Sequence, residues 1–315
     1  MESGPLMIEL ERLTKVYSGV SALTDVSFSV PTGSVLALLG HNGAGKTTAV
    51  QILSTLILPT GGRATVAGYD VVEQAAHVRD SIGVTGQSAS LDNVITGRQN
   101  LTLFGRLRGM RRIQARRRAD ELIAQFELDH AADRPVSTYS GGMRRRLDIA
   151  AALVVTPRVL FLDEPTTGLD PRSRRQVWEL VSTLAADGVT VLLTTQYLEE
   201  ADVLSDSIVI LNSGRVVAHG TADELKRQTG ETYCQVTLVR AADMPRVIAA
   251  LGDIDEVDAD DETNTVSVRA RDGVSTLAEV IRRTDQLGVG LVDISLRKPT
   301  LDEVFLHLSS AALTP

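Results

Sequence analysis

Three short stretches hold residues whose types and spacing suit phosphate chemistry. The first is GHNGAGKT, Gly40 to Thr47, set between an apolar run and a helical one. Gly40, Gly43 and Gly45 let backbone N–H groups wrap phosphate oxygens, and the N-terminus of the following helix adds partial positive charge. Lys46 supplies counter-charge for the β- and γ-phosphates, and the Thr47 hydroxyl is a ligand for Mg²⁺. His41, Asn42, Ala44 and Thr48 complete this nucleotide-binding segment. The second stretch is VLFLDEP, an apolar strand that ends in Asp163 and Glu164. Two acids at a strand end are by themselves an ordinary solvated edge. With the glycine loop upstream, Asp163 can hold Mg²⁺ through water, and Glu164 can orient or deprotonate an attacking water.

The third stretch is TYSGGMRRRLDIA, residues 138 to 150. Ser140, Gly141 and Gly142 open a helix with a hydroxyl and exposed N–H groups, a second anion cradle. Arg144, Arg145 and Arg146 follow at once, as a solvated or intersubunit-paired face or as a nucleic-acid patch. A net charge of −8 and an aromatic content of 3% weigh against nucleic acid.

The elements around these stretches are those of an α/β protein. MIELERL, VSALTDVSFSV and GSVLALLG read as strands, RVLFLDEP and VTVLLTTQ as short buried strands, and RSRRQVWELVSTLAADG as the helix between the last two. Such alternation gives a parallel sheet covered by helices. Residues 97 to 150 have helical patterning, with arginines toward solvent and Leu101, Leu107, Leu122 and Ile123 toward the core.

At 315 residues the chain is long enough for a large domain and a smaller one. The composition shifts at KRQTGET, residues 226–232, a polar linker. The domains expected are 1–228, for nucleotide binding, and 229–315, a small α+β domain. The second reads as strand 233–239, helix 243–251, strands 254–258 and 265–269, helix 274–287, strand 289–296 and helix 300–309, the order of a ferredoxin-like split unit. One cysteine, Cys234, excludes an intramolecular disulfide and suits a reducing cytoplasm. The five histidines are scattered without metal-ligand spacing, and the longest apolar run, residues 149–163, is broken by Pro157 and Arg158. No secretory leader is evident at the N-terminus, and no stretch is long enough to cross a bilayer.

GHNGAGKTT, the Gln87 of VTGQ, YSGGM, LFLDEPTTGLD and LLTTQYLEEAD occur in an order that resembles the ATP-binding subunits of ABC transporters, over about residues 7–225. VTGQ, RRRLDIAA, TTGLDPRSR and the tail LDEVFL are similar to the daunorubicin/doxorubicin-resistance type of exporter. The resemblance implies a P-loop NTPase fold of the ABC nucleotide-binding type, with antiparallel β and helical subdomains. It further implies ATP and Mg²⁺ as ligands and two copies head to tail. In such a dimer, Ser140, Gly141 and Gly142 of one copy face the γ-phosphate held by the other.

By the same resemblance Tyr17 stacks on adenine, although a lone Tyr after a strand is more often packing. Gln87 touches Mg²⁺ and the water, Asp170 belongs to an intersubunit loop, and Gln196 stands where the family has a switch histidine. His41 replaces the usual Pro, and YSGGM the usual LSGGQ. The implied partner is a separately encoded transmembrane permease, with this subunit peripheral on the cytoplasmic side of the cell membrane and no nucleic acid bound. The implied work is efflux of drugs, antibiotics or lipids. The alternatives are a soluble ABC ATPase outside transport and an ATP-binding regulatory module.

Overall fold

The structure, a computed structural model, describes residues 5–86, 91–229, 232–297 and 300–305. In chain order the first part runs β1 (Leu6–Tyr17), β2 (Val20–Pro31), β3 (Val35–Leu39), α1 (Lys46–Leu53), β4 (Gly61–Val66), β5 (Tyr69–Asp70), α2 (Ala75–Ser81) and β6 (Ile82–Thr85). It continues through α3 (Gly97–Leu107), α4 (Arg112–Gln125), α5 (Gly141–Ala152), β7 (Val159–Asp163), α6 (Pro171–Ala186), β8 (Thr190–Thr195), α7 (Leu198–Leu204), β9 (Ser207–Asn212) and β10 (Arg215–Gly220). After α8 (Ala222–Thr229) come β11 (Tyr233–Leu238), α9 (Met244–Leu251), β12 (Val257–Asp260), β13 (Thr265–Arg269), α10 (Val274–Leu287) and β14 (Leu291–Arg297).

The chain divides into two units at Ala222/Asp223. In the first, six strands are ordered β10-β9-β3-β8-β7-β6, parallel except for β10. VLALL of β3 and VLFLD of β7 are buried at every residue, as a parallel sheet covered on both faces requires. An antiparallel sheet, β2-β1-β4-β5, shares a core with it through Ile8, Leu13, Leu38, Ile52 and Phe161. α3, α4 and α5 pack on one another. Leu101, Leu122 and Ile123 are buried there as their spacing predicts, but Leu107 is 72% exposed. It is the last residue of α3, beside the turn at Gly109, and so projects from the hairpin tip.

The second unit is a four-stranded antiparallel sheet ordered β12-β13-β11-β14, in the βαββαβ sequence of a ferredoxin-like split unit. Val236, Val266, Val268, Val247 and Val280 form its core with α9 and α10. The strand expected at 254–258 lies at 257–260, because Ile254 N–H donates to Leu251 O (2.9 Å) and prolongs the turn after α9. Lys226 to Thr229, read as linker, are helical in α8. The final expected helix is present at 301–305, and its remainder lies outside the described residues.

Candidate active site

The glycine loop joins β3 to α1 and is fixed from both sides. Gly45 has φ +106°, and a Cβ there would stand 2.6 Å from Ala22 O. Only glycine satisfies both conditions. Lys46 is buried, and its Nζ donates to Gly40 O (2.7 Å) and His41 O (3.2 Å), spanning the loop that its charge serves. Burial lowers the Lys46 pKa, opposed by the Glu164 and Asp163 carboxylates. The His41 ring bonds to Asn42 O (2.7 Å) and to Asn212 Oδ1 (3.2 Å), so its side chain is engaged at the rim.

β7 lies two strands from β3 in the sheet and delivers the acids to the same edge. Thr47 Oγ1 lies 3.3 Å from Asp163 Oδ2, and Thr194 Oγ1 donates to Asp163 Oδ1 (2.5 Å). Glu164 adopts a left-handed conformation, φ +47°, strained for a residue with a side chain. Its N–H bonds to Thr194 O and Oγ1, and Thr167 Oγ1 donates to its carboxylate. A strained, multiply anchored residue after a fully buried strand is held in one orientation. Asn42, Gly43, Gly45, Lys46, Thr47, Thr48, Asp163, Glu164 and Gly141 all border one cleft of about 1010 Å³.

Ser140 caps α5, accepting from Met143 N–H (3.2 Å). Gly142 is buried behind it, where a Cβ would stand 2.3 Å from Ser173 Oγ. Ser173 in turn donates to Asp170 Oδ1 (2.6 Å), the N-cap of α6. The Ser-Gly-Gly and TTGLD stretches are therefore one packed unit. Among the remaining expected residues, Tyr17 is half exposed with Lys15 Nζ 4.9 Å from its ring centroid, and does not border the cleft. Gln196 is half-buried directly after β8 and beside the loop, since Gly40 N–H bonds to Thr195 O. Gln87 lies outside the described residues.

The arginine stretch has a specific structural use. Arg145 is largely but not fully buried and donates to the carbonyls of Asp163 (3.1 Å), Pro165 (2.9 Å) and Gly86 (3.2 Å), and to Asp148 (3.1 Å). Arg144 and Arg146 donate to Val136 O and Phe126 O. The expected solvated or intersubunit face is thus corrected for Arg145: α5 uses it to hold the end of β7. Sequence reading also missed Thr194 and Glu200. Glu200 is fully buried and accepts from Trp178 Nε1 (3.1 Å), and burial raises its pKa against that hydrogen bond. Nothing but its distance after β8 marked it.

A glycine loop after the central strand, a buried lysine and paired carboxylates one strand beyond its neighbour are the site of a P-loop nucleoside triphosphatase. The ABC transporter family model matches residues 23–167, and that of the C-terminal domain of DrrA1-3-like ATP-binding proteins matches residues 220–309. The chain is 49% identical, over 98% of its length and 96% of the relative, to the doxorubicin resistance ATP-binding protein DrrA of Mycobacterium tuberculosis. It is 51% identical, over 96% of its length and 94% of the relative, to the daunorubicin resistance ATP-binding protein DrrA2 of Streptomyces coeruleorubidus. A solved dimeric ATP-binding cassette, in a post-hydrolysis state bound to ADP and Pi, is similar with a TM-score of 0.63 and 27% identity, over 68% of this chain and 98% of that one. The chain belongs to the ATP-binding subunits of ABC transporters. It binds ATP and is an ATPase that energises a transporter.

Proposed function

We propose that this ATPase drives efflux of drug-like molecules through a separately encoded permease, hydrolysing Mg²⁺-bound ATP between two copies of the chain. The observation that carries the reading is the convergence of Lys46, Thr47, Asp163 and Glu164 on one cleft edge. Lys46 neutralises the β/γ-phosphates. The Thr47 hydroxyl and Asp163 carboxylate are hard oxygens 3.3 Å apart, a donor pair that fits Mg²⁺ completed by substrate phosphates and water. The ion, when bound, supplies charge neutralisation on the phosphates. Glu164, fixed by its left-handed backbone, accepts a proton from the attacking water, with Gln87 and Gln196 as its neutral helpers. Ser140, Gly141 and Gly142 present their N–H groups to the nucleotide of the second copy, and Tyr17 stacks on adenine.

The accessory domain, 229–315 by sequence, serves coupling or dimer stability rather than the ATP site. No helix among the described residues is long and apolar enough to cross a membrane. The permease seat in this reading is a groove of about 300 Å³ lined by Leu56, Ile82, Val84, Phe104 and Arg108, which holds the subunit on the cytoplasmic face of the membrane. The resistance proteins named above support the drug-export assignment. ATP turnover by the full chain, with and without its co-expressed permease, tests it. Stimulation by the permease and loss in Glu164→Gln are expected, whereas turnover insensitive to both rejects the reading.

A further inference from the structure

Arginines converge where α3 meets α4. A Cβ at Gly105 of α3 would stand 2.8 Å from the Ala115 Cβ of α4, so the two helices approach closely. That approach gathers Arg98 and Arg106 of α3 and Arg112 and Arg116 of α4 around a surface cavity of about 340 Å³, with Leu103 in its wall. Residues 97–125 hold eight arginines against Asp120 and Glu121, in a chain whose net charge is −8.

The charges are unequally neutralised. Arg98 pairs with Asp120 and Asp133, and Arg106 Nη1 donates to Met110 O (2.9 Å). Arg112 and Arg116 form no ion pair among the described residues, although their i,i+4 spacing makes each repel the other and weakens the helix. Next in the chain to Arg106 and Arg112, Leu107 and Ile113 project into solvent, 72% and 85% exposed. Guanidinium groups bind phosphate oxygens in bidentate fashion. Protruding aliphatic residues next to them suit the boundary between headgroups and acyl chains, and contribute nothing to a nucleic-acid backbone.

We propose that this cavity binds the phosphate headgroup of an anionic phospholipid, with Leu107 and Ile113 entering the membrane interface. α3 turns Phe104 to the permease groove, which Arg108 just past its end also lines, and Leu103 and Arg106 to the arginine cavity, so one helix borders both surfaces. The orientation toward the bilayer rests on the permease-docking reading; the headgroup chemistry does not.

The full chain, free of permease, is sedimented with vesicles of phosphatidylcholine alone and of phosphatidylcholine containing phosphatidylglycerol. Binding to the anionic vesicles is expected to be at least tenfold stronger, to fall with added salt, and to drop about fivefold for each of Arg112→Gln and Arg116→Gln. Leu107→Ser should weaken it further without altering its salt dependence. Glycerol 1-phosphate competing at micromolar concentration would identify a site for a free phosphoester and overturn the membrane assignment. So would equal binding to both vesicle types, equal binding by wild type and the double arginine variant, or duplex DNA bound more tightly than anionic vesicles. ATP turnover of the double variant in solution should match wild type, because neither arginine borders the nucleotide cleft. Permease-stimulated turnover is read separately, so failed vesicle binding removes the headgroup site and leaves the transport reading standing.

Discussion

Lys46 Nζ and Glu164 Oε1 stand 3.8 Å apart, across the gap between the glycine loop and the end of β7. Both side chains are largely buried, and the lysine is also held by two loop carbonyls. In the proposed function these are the cation that meets phosphate and the carboxylate that meets water, and their pairing sets the two roles side by side. Lys46→Ala should weaken ATP affinity by roughly 10–100-fold, the worth of a charged hydrogen bond. Glu164→Gln should keep that affinity and slow hydrolysis by about 10²–10⁴-fold, the range of general-base catalysis. Fluorescent-nucleotide titration and steady-state phosphate release check the pair. Wild-type hydrolysis in Glu164→Gln would remove Glu164 from its role.

Gly142 packs against Ser173, which is tied to Asp170. Gly142→Ala must displace α5 from α6, because the new Cβ would meet both Oγ (2.3 Å) and Cβ (2.8 Å) of Ser173. ATP turnover should fall at least tenfold, on the scale of a misplaced positioning element. Adding Ser173→Gly opens the space and should recover part of the loss. Turnover of both variants decides it, and an active Gly142→Ala would show that the α5–α6 contact does not position the site.

Gln196 follows β8, whose Thr195 O holds Gly40 N–H, and so carries an amide at the strand end beside the glycine loop. An amide donates and accepts without ionising. Gln196→Ala should lower kcat by about 10²-fold, the effect of losing one preorganised donor. Gln196→His should retain activity and add a pH dependence near ~6.5, the ordinary imidazole range, with extra positive charge below it. Rates across pH measure both, and equal rates for wild type and Gln196→Ala would leave Gln196 without a catalytic part.

Glu200 is a buried carboxyl whose pKa is raised by burial. An acid with a raised native pKa binds more protons folded than unfolded. Its contribution to stability is therefore full below the unfolded pKa and is lost as pH rises through the folded one. Glu200→Gln preserves an acceptor for Trp178 Nε1 and removes the charge. It should raise the melting temperature at pH 8 by about 2–4 °C, the response to roughly 1 kcal/mol in a domain of this size. That difference should shrink toward pH 4.5. A thermal-melt series settles it: an unchanged difference across pH would show that titration of Glu200 does not govern stability.

What the sequence determined by itself were the local and contiguous features. The Gly40–Thr47 loop, the apolar strand ending in Asp163 and Glu164, and α10 at residues 274–287 follow from short-range patterning, since phosphate wrapping and helix periodicity act over a few residues. Tertiary structure decided what depends on residues distant in the chain. Arg145 reads as one more surface charge until β7 and residue 86 bring three carbonyls to it. Leu107 reads as core until the helix ends beneath it, and Glu200 carries no mark in the sequence until Trp178 of α6 packs against it. Burial of a polar group is a property of what packs around it, and no spacing along one strand or helix encodes that surrounding. The meeting of Arg98 and Arg106 with Arg112 and Arg116 has the same cause: a Gly105–Ala115 contact between two helices sets it, and composition alone supplied only the charges.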